Sequence, residues 1–234
     1  MKNDEGGSAS AGADPLWART GVTHRPKTSM PKDGRLRLNG LKPADVLLFW
    51  ATPESATSLG ISVFQNVVGI SAQACSITHV ALVEHADSVI HATYSPTISG
   101  HSPVRRDSLH EVCKGHTVTV VRALPVEAEA DQQAVVGAAA RLIGRAYSLR
   151  AIDWTALFPL LPPRAQPYAI AQLVVALSES HVCSTLVFDA FNIAMRERSP
   201  LDPGSTGWAQ PIILPAFLFW NPKLTDVPLW HGTR

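Results

Sequence analysis

Residues 78–93 read THVALVEHADSVIHAT. Thr78–Glu84 and Ser88–Thr93 are two runs rich in β-branched and apolar residues, with Glu84, His85, Ala86 and Asp87 between them. The pattern predicts a β-hairpin. It also brings two histidines, His79 and His91, onto neighbouring strands. An odd-length loop puts them on one face as direct or diagonal neighbours, whereas an even loop without a bulge puts them on opposite faces.

Outward from this hairpin the elements alternate in type. LKPADVLLFW (41–50) is a turn followed by an apolar run, read as a buried strand, with Asp45 as a turn or cap residue. ISVFQNVVGI (61–70) has helical spacing and predicts a short helix. HTVTVVRAL (116–124) alternates and stops at Pro125, as a strand does. Ala128 to Tyr147 is Ala-rich and predicts an amphipathic helix ending near Gly144. HVCSTLVFDAFNIAM (181–195) predicts a buried helix with Cys183 in or near its first turn. PIILPAFLFW (211–220) reads as a final strand bounded by prolines, and 94–115 as a loop. Strands, helix, helix, strand make an α+β fold with an antiparallel sheet packed against helices.

The chain has 234 residues, which suits one domain with a tail. Residues 1–35 are rich in Gly, Ser, Ala, Asp and Lys and read as a flexible tail; residues 36–234 read as the domain. Charged residues make up 17%, against about 25% in an average domain. Net charge is +1 with no basic stripe, which argues against a phosphate-neutralising surface and so against nucleic acid as a partner. Three cysteines, Cys75, Cys113 and Cys183, are too few and too odd in number for a disulfide framework. The N-terminus lacks an apolar signal core, so the expectation is synthesis in the cytoplasm without an ordinary signal peptide. The most apolar window, 154–177, is broken by prolines and Arg164. It reads as peripheral membrane contact at most, not a span.

Cys183 is the strongest candidate for chemistry. A thiol at a helix N-terminus meets the positive end of the helix dipole, and the thiolate is the nucleophile of covalent acyl transfer. His79, on a strand, is the candidate base, and His91 on a shared face can hold its imidazole in one tautomer. Tyr147 and Asp153 flank the end of the long helix. Cys113 and His116 form a loose pair near His101 and His110, without a second tight pair for zinc, so no metal and no cofactor is expected. Asp107 reads as a solvated charge. Elbow, phosphate-loop, dinucleotide and zincin motifs are all missing.

Together LKPADVLLF, THVALVE, VIHAT and VCSTLVFDAF resemble the circularly permuted branch of the NlpC papain-like cysteine hydrolase superfamily, which holds the YiiX-like proteins and the lecithin:retinol acyltransferase group. His79 to Val83 matches the strand that carries the family's histidine. Val89 to Ala92 matches the strand ending in a polar residue, and His181 to Val187 the nucleophile motif. Ala44 stands where the family has glycine, His91 where YiiX-like members often have Glu, and Ser148 where an Asp often follows Tyr147. The likeness spans about residues 38–195.

The resemblance implies a permuted papain-like fold and a Cys183–His79–His91 triad cleaving an acyl bond through an acyl-enzyme. Ser184, Tyr147 and Thr78 are the supporting or oxyanion candidates. A lipid acyl ester is slightly favoured as substrate, because the apolar stretches 154–177 and 211–220 suit an acyl groove. A peptidoglycan stem-peptide amide is the alternative, and a catalytically dead binding module is the non-enzymatic one. Without a signal peptide, a secreted bacterial effector with a secretion-machine or immunity partner fits either substrate.

Overall fold

The computed structural model describes residues 24–30, 38–52, 56–67, 73–93, 103–146, 157, 160–162, 164–165, 167–169, 182–201, 215–227 and 230–231. Its main sheet is antiparallel and seven-stranded. Strands β1 (Thr28–Ser29), β3 (Val46–Trp50), β4 (Ile77–His85), β5 (Ser88–Ala92), β6 (Val104–Ser108) and β7 (Thr117–Ala123) run in the order β1-β7-β3-β4-β5-β6, and β8 (Leu224–Asp226) also pairs with β7. A separate two-stranded ribbon joins β2 (Leu38–Asn39) to β9 (Trp230–His231). The helices are α1 (Ala56–Val67), α2 (Leu109–Cys113), α3 (Glu129–Ala140), α4 (Cys183–Met195) and α5 (Pro215–Trp220). The fold is α+β.

Side chains alternate across a strand, so each strand serves both faces. All five residues of β3 are buried, as expected of a strand covered on both sides. On one face Leu48, Val80, Leu82 and Ile90 pack with Val135 of α3, Leu186 and Phe191 of α4 and Phe219 of α5. On the other, Leu47, Phe49, Ala81, Val83 and Val89 pack with Leu109 and Cys113 of α2 and with Met30. No helix among the described residues is long and apolar enough to cross a membrane.

Ala44 opens β3 with φ +69°, a left-handed conformation that glycine adopts at least cost. Its N–H donates to Val83 O and the Val83 N–H returns to Asp45 O, which fixes β3 against β4. Asp45 accepts from the Lys42 N–H, the turn role read from sequence. It also forms a two-pronged ion pair with Arg122 of β7, at 2.7 Å on each prong.

Four expectations change. Residues 24–30, placed in the tail, are ordered against the sheet. There Arg25 is buried, with Nε donating to Phe219 O, Nη2 to Asn221 O and Nη1 to Asp226, and Lys27 lies over the Trp50 ring. The end of 211–220 is helix α5 and not a strand. Pro215 suits a first helical turn, where its missing N–H costs nothing, and Leu218 and Phe219 are buried. The 94–115 loop contains β6 and α2. The long helix stops at Ala140, and the turn that follows ends on Gly144 at φ +87°, whose N–H donates to Val104 O.

Candidate active site

Two register breaks decide where the histidines point. On the β3 side Phe49 pairs with His79 but Trp50 pairs with Ile77, so Thr78 is an extra residue just before His79. On the β5 side Val83 pairs with Val89 but His85 with Ser88, so Glu84 is extra at the turn. Each is a β-bulge, which re-aims the side chains beyond it. The second makes the span between Val83 and Val89 odd, which puts His79 and His91 on the same face, with Phe49, Ala81 and Val89.

There they meet. His79 Nε2 lies 3.1 Å from His91 Nδ1, and the other His91 nitrogen, Nε2, lies 2.8 Å from Asp107 Oδ2. Asp107 is on β6, whose pairing with β5 sets Val89 opposite Asp107 and His91 opposite Arg105. Arg105 Nε donates to the same Asp107 Oδ2 at 2.6 Å. The His79 ring tilts against Phe49 at 5.2 Å, and His116 meets Phe49 edge-on at 5.7 Å. His79 Nδ1 has no hydrogen-bond partner among the described residues.

These groups line a pocket of about 470 Å³, within the range of small-molecule sites. The hydroxyls of Thr52, Ser58, Thr78, Thr93 and Ser108 share the remaining wall with Trp50, Val112 and Glu111. The Thr78 hydroxyl donates to Ser58 Oγ. Burial holds the His79 imidazole well below the ordinary 6.5, and the neighbouring His91 and His116 push the same way. Burial lowers His91 as well, opposed by its bond to Asp107, and burial lowers His116. Near neutral pH the three rings are therefore uncharged, and a neutral ring keeps a lone pair for a proton.

Cys183 is the first residue of α4, as its sequence suggested. The Thr185 hydroxyl accepts from the Val182 N–H and caps that turn. The thiol, however, joins the apolar core with Val80 and Leu186, on the face of β4 opposite His79. Burial pushes it up to about 11, only partly offset by the backbone N–H groups of Val80, Ser184 and Cys183 itself. The structure thus brings His79 and His91 together and adds Asp107, but leaves Cys183 out of hydrogen-bond reach of His79. Ser184 is buried beside Cys183, Thr78 lines the pocket, and Tyr147 lies outside the described residues. Among the described residues no group of three or more His, Cys, Asp or Glu is arranged to hold a metal.

Asp107 is the residue that sequence reasoning missed. It was read as a solvated charge in a loop, because Val104-Arg105-Arg106-Asp107-Ser108 contains one apolar residue. No alternation of apolar and polar residues marks 104–108 as a strand. No family model, curated protein or solved structure matches this chain.

Proposed function

We propose that the chain is an acyl-bond hydrolase of permuted papain-like layout, with His79 as general base. The observation that carries this reading is the orientation of His79. Its Nε2 is occupied by His91, Nδ1 has no partner among the described residues, and the residue lines a ligand-sized pocket. A base so placed is worth about 10²–10⁴-fold in rate.

The nucleophile is Cys183, by the family resemblance and by its place at the start of α4. His79 Nδ1 takes the thiol proton as Sγ bonds the acyl carbon. The leaving oxygen or nitrogen takes that proton as its bond to the acyl carbon breaks, and water then cleaves the thioester. In the conformation described, β4 separates the two groups. Attack therefore requires His79 and Cys183 to reach the same side of the strand, and the Thr78 bulge is where β4 has a spare residue to move.

The pocket wall mixes hydroxyls and the His–Asp–Arg group with Phe49, Trp50 and Val112, and such a lining suits a peptide-like amide as well as an ester. Of the apolar stretch 211–220, Leu218 and Phe219 pack in the core behind the sheet. The test is mass spectrometry of peptidoglycan fragments and of phospholipids after incubation with wild type, His79→Ala and Cys183→Ala. Cleaved amides from wild type alone support the proposal. Products that survive Cys183→Ala but not His79→Ala would give the attack to water activated by His79.

The buried thiol, on the far face of β4, favours a second reading: a pocket that binds an acyl ligand without cleaving it. Binding of the same fragments to wild type, with no product, would decide for it.

A further inference from the structure

We infer that Asp107, held by Arg105, is a positioning residue that fixes the tautomers of both His91 and His79. The inference rests on the hydrolase reading for its purpose and on hydrogen-bond chemistry for its content.

A carboxylate only accepts hydrogen bonds. At 2.8 Å from Asp107 Oδ2, His91 Nε2 must carry the hydrogen and donate it. A neutral imidazole has one N–H and one lone pair, so the lone pair of His91 is on Nδ1. That lone pair faces His79 Nε2 at 3.1 Å, so His79 in turn carries its hydrogen on Nε2. The lone pair of His79 is left on Nδ1, the nitrogen without a partner among the described residues. Each link allows one choice, and the choice is made at Asp107, two hydrogen bonds from the base.

Arg105 keeps the first link in place. Its Nε donates to the oxygen that receives His91, at 2.6 Å, so the carboxylate cannot turn without losing a charge-assisted bond. Arg105 is also the direct cross-strand partner of His91, which sets both contacts by the register of β5 against β6. Once His79 has taken a proton, the positive ring faces the His91 lone pair, with the Asp107 charge behind it. A hydrophobic residue at 107 would leave His91 free to carry its proton on either nitrogen. In half of those arrangements His91 would donate to His79 Nε2, and the reactive Nδ1 would already hold a hydrogen.

Two-bond ¹H–¹⁵N correlation spectra of the full chain, labelled with ¹⁵N-histidine and held slightly above neutral pH, read this directly. His79→Gln and His91→Gln assign the two rings. In wild type both should be single Nε2–H tautomers. In Asp107→Ala, and in the isosteric Asp107→Asn, whose amide can donate as well as accept, both rings should become mixtures, with His116 unchanged. A wild-type His91 protonated on Nδ1 would overturn the inference. So would folded 107 variants that keep the wild-type tautomers. The readout needs no turnover: the expected tautomers in a protein that cleaves no acyl donor would leave the relay standing and remove the hydrolase reading, while turnover with the opposite tautomers would do the reverse.

Discussion

The Cys183 thiol and the His79 ring lie on opposite faces of β4, the thiol resting against the N–H of Val80, the residue that follows the histidine. One strand's backbone separates a helix-borne thiol from a histidine that lines a pocket. Most of what can be tested about the protein turns on that separation.

Cys183 should alkylate slowly in the resting protein. With the thiol pushed up to about 11 by burial, roughly one molecule in ten thousand carries a thiolate at pH 7. Iodoacetamide labelling followed by peptide mass spectrometry should show a rate rising about tenfold per pH unit through pH 9. It should jump on unfolding. Rapid labelling near neutral pH would mean that the thiol already sits beside an imidazolium, contrary to the arrangement described.

His79→Ala should lower any acyl-hydrolase turnover by about 10²–10⁴-fold while leaving the thermal midpoint within a few degrees, because the ring lines a pocket and is not part of the closed core. His91→Ala should also lower turnover, mainly in kcat, since it acts through His79. Unchanged kcat in the His79 variant would remove the base assignment.

Stability should fall with acid below about pH 6.5. His79, His91 and His116 are all depressed from 6.5 in the folded state, so the unfolded chain binds protons first as pH drops. Their contribution is fully present above 6.5 and is lost progressively below it, down to the folded-state values. Urea unfolding midpoints at about pH 7.5 and 5.5 should differ accordingly, and His79→Gln should flatten the dependence. Equal slopes in wild type and variant would show that His79 is not the group responsible.

Ala44→Gly should stabilise the protein. Left-handed backbone costs a residue with a Cβ about 1–2 kcal/mol, and glycine returns about 0.5–1 of that as unfolded-chain entropy. A net gain of up to about 1 kcal/mol, read as a raised denaturation midpoint, is the expected outcome. This is also the position at which the resembled family carries glycine.

Arg25→Ala should destabilise by about 2–3 kcal/mol. It removes a buried guanidinium with two backbone acceptors and Asp226, and hydrogen bonds to charged groups are worth more than neutral ones. Chemical denaturation measures it, and a loss below about 0.5 kcal/mol would mean that residues 24–30 do not hold the sheet.

Much of this was legible in the sequence because hydrophobic pattern carried it. The apolar runs at Val46–Phe49 and Val80–Val83 and the alternation of residues 116–124 mark the central strands, and the helical spacing after Cys183 marks α4. The hairpin could be read, but not the shared face of its histidines, because that depends on a bulge at Glu84 that no residue type announces. Strand β6 escaped because it is an edge strand with charges along its exposed side, and Asp107 escaped with it. Residues 24–30 looked like tail since what holds them, the Arg25 hydrogen bonds and the short pairing of Thr28–Ser29 with β7, depends on partners far along the chain. Helix α5 looked like a strand because Ile212 to Trp220 is apolar on all sides, and a short run of that kind has no period to read.

That arginine also has a kinetic meaning. Its partners are 194 to 201 residues away in sequence, and β7 takes β1 from one end of the chain and β8 from the other. The arginine's contacts form late and slowly, since the long loop must close before they can be made. During synthesis the Val121–Ala123 part of the β7 edge must wait unpaired until Leu224–Asp226 has emerged, and it is open to strand pairing with its neighbours for that interval.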